Sequence, residues 1–244
     1  IPFSYYLYFV EGKMSLDPKL AQDIVDYLTL SDTDREIIKR KRGFDDTTID
    51  LLKFRTIGYH LKDDSFIKGL DKPIYDSLTS GNNILIPYFY PDGRVSNIRP
   101  HKFGIKDNAS NIYIPWPIIQ SSEKTWVLTE GEFKAVASCM YGVPAIAVPG
   151  ISSYAVNKLP ALLEVIRNIN PAGIIIAFDN EIKDNPKFKN YKDKYTKRYD
   201  SQFYAYVQSK LIEKELGKDK VAICELPLEH AKEGKVDIDG LLAQ

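Results

Sequence analysis

The sequence predicts an α/β fold: a parallel sheet with helices on both faces, preceded by a smaller α+β subdomain that carries a β-hairpin. Three observations lead there. The second half alternates short apolar runs with helix-like segments, the pattern of strands joined by crossover helices. The first half is charge-rich with scattered apolar positions, and it ends in two β-rich runs about a Pro-Asp-Gly turn. The composition, 44% hydrophobic and 27% charged over 244 residues, is that of a folding chain, and a chain this long buries roughly 70–75% of the surface its unfolded form exposes.

Residues 16–58 read as short helices. Ser31 followed by Asp34 marks a helix start. Gly43, after the run Lys39, Arg40, Lys41, Arg42, marks a C-terminus carrying favourable positive charge, and Asp45 or Asp46 caps the next helix. Two readings of that basic run stay open, dipole complementation and nucleic-acid contact. From Asn83, NILIPYFY, the turn Pro91-Asp92-Gly93 and RVSNIRPHKF form the hairpin. Asn108, Ser110, Pro115 and Pro117 make residues 105–124 turn-rich, which places the junction there and divides the chain into an N-terminal subdomain, residues 1–123, and a C-terminal domain, residues 124–244. Beyond it, WVLT, PAIAVPG, AGIIIAF and KVAICELP read as strands. EFKAVASCMYG, SSYAVNKLPALLEVIRNI and RYDSQFYAYVQSKLIEKELG read as the helices between them, the second with a proline that breaks or restarts it. Four strands separated by three helices imply a parallel sheet with right-handed crossovers.

The balance of 33 Lys+Arg against 33 Asp+Glu excludes a histone-like coat of positive charge but leaves room for a basic face opposite an acidic one. Cys139 and Cys224 both lie in apolar stretches, which suits reduced thiols and a cytoplasmic setting. There is no CxxC pair, and His60, His101 and His230 are far apart, so zinc is not expected. The opening IPFSYYLYFVEGK is too short, and too polar at its end, for a membrane helix or a secretory signal. No membrane partner is expected, and a first residue of Ile1 suggests a start inside a longer protein.

In an open parallel sheet the site lies outside the carboxyl ends of the strands, and there this chain is acidic. Glu130 and Glu132 follow WVLT, and Asp179 and Glu181 follow AGIIIAF. Each alone reads as a helix cap or dipole partner. Together, two strands bringing carboxylates to one rim call for a cation between them or a shared proton. Oxygen ligands without nearby His or Cys point to Mg²⁺ or Mn²⁺. Such an ion implies phosphate chemistry, with a carboxylate outside its coordination sphere moving the proton. Glu130, beside the side-chain-free Gly131, suits the proton role, and Asp179 and Glu181 suit the metal. Asp237 and Asp239, near the end in GKVDIDGLLAQ, form a third acidic pair or cap a short terminal helix. Between residues 183 and 198 lie seven cations, among them Lys187 and Lys189, against Asp184 and Asp193. Phe188, Tyr191, Tyr195 and Tyr199 interleave or flank them, as stacking and phosphate neutralisation of a single strand require. A solvated Lys-rich loop is the alternative.

These residues resemble the toprim domain shared by DNA primases, topoisomerases of types IA and II and some nucleases. WVLTEGEFKAVASCMYGVPAIAVPG is similar to the first toprim motif and AGIIIAFDNE to the second. KRKRGFDDTTIDLLKFRTIGY, NILIPYFYPDGRVSNIRPHKF and GKVDIDGLLAQ resemble, in order, segments of the primase branch in phage, plasmid and other mobile-element replication proteins. The resemblance implies Glu130 as general acid/base, and Asp179 and Glu181, with the closing Asp237 and Asp239, as holders of Mg²⁺. It implies single-stranded DNA and nucleoside triphosphates as partners, with a fused or associated replicative helicase. The chain departs from the pattern at Lys134, where primases usually carry a second carboxylate, at Glu181, where Asp is usual, and in lacking a preceding zinc module.

The expected function is a primase-type nucleotidyltransferase core. Its template would be held by Arg94, Arg99 and Lys102 on the hairpin, then by Lys39–Arg42, with Lys134, Lys187, Lys189 and Tyr191 as further nucleic-acid contacts. The alternatives are a metal-dependent toprim nuclease and a non-catalytic single-strand-binding module of a primase-helicase.

Overall fold

A computed structural model of the chain describes residues 16–81, 83–102, 111–120, 124–151, 154, 158–181, 201–230, 235–238 and 241, the side chains of Asn83, Glu181, Leu228, Lys235 and Val236 excepted. The chain divides into two compact units, residues 1–34 with 52–107, and residues 35–51 with 108–244.

The first unit opens with α1 (Pro18–Tyr27), which starts on Asp17, whose carboxylate accepts from the Lys19 N–H at 2.8 Å, with a proline in its first turn, where an N–H would have no partner in any case. The chain then passes through α2 (Asp32–Arg42) and α3 (Asp46–Leu51), which fall mostly in the second unit. It returns as β1 (Arg55–Ile57), α4 (Ser65–Lys68), α5 (Lys72–Thr79), β2 (Asn83–Phe89) and β3 (Val95–His101). The sheet order is β1-β2-β3, antiparallel throughout. Pro87 lies within the middle strand, which ordinarily disfavours proline. It is tolerated because β1 pairs only with residues 83–85, so β2 has lost one neighbour before Pro87 is reached. α1 packs on β3, with Gln22 Oε1 accepting from the Val95 N–H at 3.0 Å and Arg55 donating to the Val25 carbonyl at 2.7 Å. The expected helix start is present: the Ser31 hydroxyl accepts from the Asp34 N–H at 3.2 Å.

The second unit is built on a parallel sheet of order β5-β4-β6-β8. Its strands are β4 (Thr125–Glu130), β5 (Ala145–Val148), β6 (Gly173–Ile176) and β8 (Val221–Ile223). The helices are α6 (Glu132–Met140), α7 (Leu159–Ile169) and α8 (Ser201–Leu216), and a short antiparallel pair joins β7 (Asn180–Glu181) to β9 (Lys235–Val236). The proline of the middle helical segment restarts rather than breaks it, since Pro160 stands in the first turn of α7.

The chain runs outward from β4 to β5, then crosses back past β4 to β6 and on to β8. Right-handed crossovers therefore put α6 on one face and α7 and α8 on the other. Burial agrees with this: Trp126, Leu128, Ile174, Ile176 and Phe178 form one core with Leu162, Val165 and Ile166 of α7 and Ala205 and Ile212 of α8.

The division differs from the expected cut after residue 123. Tyr113 exchanges both backbone hydrogen bonds with Ala147, at 2.9 and 2.8 Å, which ties the segment before β4 to the edge of the parallel sheet. The turn Trp116–Ile118 packs against α3 and α6. Proline content marked a loop, but a loop's allegiance is decided by its hydrogen bonds.

Both cysteines are free, Cys139 buried and Cys224 half-buried. Burial pushes the Cys139 thiol up to about 12, and burial followed by the charge of Glu225 raises that of Cys224. At about pH 8 a thiol reagent is expected to modify Cys224 first and Cys139 only on unfolding. Two fast thiols in the native protein would contradict this packing. No helix among the described residues is long and apolar enough to cross a membrane.

Candidate active site

The crossing back from β5 to β6 makes the gap between β4 and β6 the point where the strand order reverses. In open parallel sheets the crevice outside the carboxyl ends at such a point is the usual ligand site. Glu130 ends β4 and Asp179 follows β6, the two strands that flank this gap. Leu128 pairs with Ile176, and the Ala177 N–H continues the ladder to the Leu128 carbonyl at 2.9 Å. The same register carried forward sets Glu130 beside Phe178 and Gly131 beside Asp179. The chain leaves β4 through Gly131 at φ 85°, ψ 148°, a backbone conformation essentially restricted to glycine.

Asp179 is 2% exposed, a placement that a carboxylate tolerates only with partners. Its Oδ1 accepts from the Lys134 ammonium, an ion pair whose side chains are 14% and 3% exposed. Lys134 is in the first turn of α6, one residue past Phe133, so the pair ties that helix to the end of β6. The Gln202 amide, fully buried at the start of α8, donates to the Phe178 and Asp179 carbonyls at 3.2 Å each. The Asn180 amide, also buried, donates to the Leu226 carbonyl at 2.5 Å. The carboxylate is thus fixed through its own side chain, its own carbonyl and the next residue.

Alternation along the strands sets Glu130 on the side of Leu128, and Asp179 on the opposite side with Ile175, where α6 lies. The two carboxylates are neighbours at the rim, but the immediate cation at Asp179 is Lys134. Glu132, 6% exposed, opens α6, where the helix dipole favours negative charge. The buried Tyr113 hydroxyl is held well above its ordinary value by burial, then by the charges of Glu132 and Cys139.

Asp237 reaches the same region through β7 and β9. Asn180 pairs with Val236, so Asp179 and Asp237 occupy facing positions one step further along the two chains. The Asp237 carbonyl accepts from the Leu241 N–H at 3.0 Å. The Glu181 side chain, Asp239, Lys187, Lys189 and Tyr191 lie outside the described residues.

The basic run is divided. Lys39 pairs with Asp46 at 2.9 Å and with Glu36 at 3.6 Å, while Arg35 bridges Asp46 at 3.0 Å and Asp50 at 2.6 Å. The Arg42 guanidinium lies 4.8 Å from the centre of the Phe133 ring, and that ring packs in turn, tilted by 52°, against Phe44 at 5.8 Å. Lys39 and Arg42 therefore help to hold α2, α3 and α6 within the second unit, while Arg40 and Lys41 are exposed. In the first unit Arg94 closes on Asp92 at 2.7 Å and lies over Tyr90 at 5.5 Å. Arg99 is half-buried on β3 and Lys102 is exposed. Lys102 follows the last residue of β3.

Gln202 and Asn180 are the positioning residues that sequence reasoning missed. The available signal was polar side chains in phase with apolar ones: Gln202, Gln208 and Ser209 share the buried side of α8 with Ala205 and Ile212.

The metal that the resemblance implies can be tested against these residues. The donor chemistry, carboxylate oxygens alone, fits a hard cation. Among the described residues, however, no three His, Cys, Asp or Glu side chains gather into a metal-holding group, and the Asp179 carboxylate is engaged by an ammonium. The Lys134 side of the rim therefore does not fit a divalent ion, and of the other acids that the resemblance implies as its holders only the Asp237 side chain is among the described residues.

The fold is that of a primase catalytic core. A DnaG primase catalytic domain bound to single-stranded DNA superposes with a TM-score of 0.56 at 15% identity, over 92% of this chain and 73% of that one. The catalytic core of the E. coli primase gives 0.53 at 16% identity, over 92% and 75%. The zinc-binding and RNA polymerase domains of the Aquifex aeolicus primase give 0.51 at 14% identity, over 92% and 57%. At these identities the likeness is one of fold. A family model described as a domain of unknown function, DUF3854, matches residues 116–219, the span from just before β4 to just beyond α8. No curated protein matches the chain in sequence.

Proposed function

We propose that the chain is a primase-type nucleotidyltransferase core that extends ribonucleotides on a single-stranded DNA template, within a longer replication protein. The observation that carries this reading is the placement of Glu130 and Asp179 at the ends of the two strands flanking the reversal point, in a fold shared with primase cores. Glu130, half-exposed at the rim, accepts the proton of the attacking hydroxyl. Gly131 leaves open space beside it, with nothing within 4 Å of where a Cβ would stand, so a phosphate backbone approaches closely. Lys134 balances Asp179, and Gln202 and Asn180 keep that strand end fixed. Glu181, Asp237 and Asp239 would hold Mg²⁺ or Mn²⁺, which supplies charge stabilisation at the reacting phosphate. Arg40, Lys41, Arg99 and Lys102 bind the template backbone, as do Lys187, Lys189 and Tyr191. One of the similar cores was solved with single-stranded DNA and another with duplex DNA.

A second reading, a non-catalytic module that docks single strands beside a helicase, is favoured by the lysine on Asp179. One experiment separates the two. In a template-dependent synthesis assay with ribonucleotides and Mg²⁺ or Mn²⁺, Glu130→Gln is expected to lower the rate by about 10²–10⁴-fold while single-strand affinity is kept. Binding without synthesis by the unaltered chain would establish the docking module instead. Strand shortening in the absence of nucleotides would mark a nuclease.

A further inference from the structure

We infer that Lys134 is a built-in monovalent cation that holds the position at Asp179 which a divalent ion would otherwise take, so that any exchangeable divalent ion at this rim is confined to the β7–β9 side. The inference rests on the ion pair and not on the polymerase reading, and it stands or falls separately from synthesis.

Glu130 ends β4, Asp179 follows β6 and Asp237 follows β9 at this rim. A carboxylate as buried as that of Asp179 calls for a cation or a proton. At Asp179 the cation is covalently part of the chain, since the Lys134 ammonium is bonded to Oδ1 and both side chains are nearly excluded from water. Exclusion of water makes the pair costly to separate, because each charge would be left without its partner in a weakly screening environment. A divalent ion binding the same carboxylate must either displace the ammonium or share the oxygen pair with a like charge. Both lower its affinity.

The geometry also explains why lysine, and not any cation, stands here. Lys134 lies in the first turn of α6, and that helix packs along β4 and β5. Its long side chain spans from the helix to the neighbouring strand end, while its backbone stays within the turn. A glutamate or aspartate at this position would instead point a further carboxylate at Asp179. The pair of acids would then repel unless a divalent ion joined them, which is the arrangement that this chain avoids.

The test is a Mn²⁺ titration followed by electron paramagnetic resonance of the free ion. It is run on the full chain and on three variants, with tryptophan fluorescence as the folding control. Lys134→Glu is expected to bind one more Mn²⁺ than the unaltered chain, or the same number with a dissociation constant at least tenfold lower. Lys134→Arg keeps a cation at Asp179 and is expected to titrate like the unaltered chain. Lys134→Met is expected to melt at a lower temperature and to recover on adding Mn²⁺ by several degrees more than the unaltered chain does. If Lys134→Met does not fold at all, the Glu and Arg variants still decide. Superposable titrations of the unaltered chain, Lys134→Arg and Lys134→Glu would overturn the inference, as would Mn²⁺ binding by the unaltered chain that Asp179→Asn abolishes.

Discussion

Asp179→Leu and Lys134→Met are each expected to destabilise the second unit by about 3–5 kcal/mol, and the double variant is expected to regain most of that loss. The single changes each break this pair: one takes the Asp179 carboxylate from an ammonium 14% exposed, the other takes the Lys134 ammonium from a carboxylate 3% exposed. The double change removes both charges and replaces them with apolar groups of similar bulk, which for buried pairs is often neutral or favourable. Chemical denaturation followed by tryptophan fluorescence reads the outcome. The chain has two tryptophans, and Trp116 and Trp126 lie edge to face, 5.8 Å apart, within the second unit. The signal therefore belongs to the unit that carries the pair. Simple additivity of the two single losses would show that Lys134 and Asp179 do not stabilise each other. The cycle also bears on catalysis: loss of synthesis on altering Asp179 is informative only in a variant that remains folded, so Glu130→Gln is the cleaner probe.

The parallel sheet was legible because its strands are continuous apolar runs. Residues 145–148 and 173–176 have no polar side chain to place, and only burial on both faces accommodates such strands. The acidic rim was legible for a related reason, since acids directly after buried runs fall at strand ends by construction. Ser31 with Asp34, and Gly43 closing α2 at φ 69°, were equally readable, because caps depend on local chemistry. What escaped was non-local. The strand β1 is three residues within RTIGY and exists through pairing with β2. The β7–β9 ladder joins positions more than fifty residues apart and has no periodicity of its own. Lys134 was visible as a departure from the acidic pattern, but its partner was not, because an ion pair between an early helix and a later strand leaves no trace in spacing. The basic run shows the opposite failure: Lys39 and Arg42 look like solvent-facing cations in the sequence, yet Asp46 and the Phe133 ring absorb them into the fold.

Phe178→Ala is expected to cost about 3–5 kcal/mol of stability and to disturb Asp179 without touching it chemically. Phe178 is 0% exposed and belongs to the core shared by β4, β6, α7 and α8. Truncation removes a ring from the position beside Glu130 and leaves a cavity that the sheet cannot close, because the adjoining backbone is fixed on both sides. The Ala177 N–H is held by the Leu128 carbonyl at 2.9 Å, and the Phe178 and Asp179 carbonyls are held by Gln202 at 3.2 Å. Phe178→Leu keeps most of the volume and is expected to lose less than half as much. Comparing the two denaturation curves separates lost volume from lost position. If the Ala variant, assayed well below its melting temperature, shows weakened synthesis while the Leu variant does not, the ring acts on the site by fixing where the strand ends. If both lose stability but neither changes the rate, the anchoring by Gln202 and Lys134 is sufficient to hold Asp179 alone, and the core beneath it contributes only to folding.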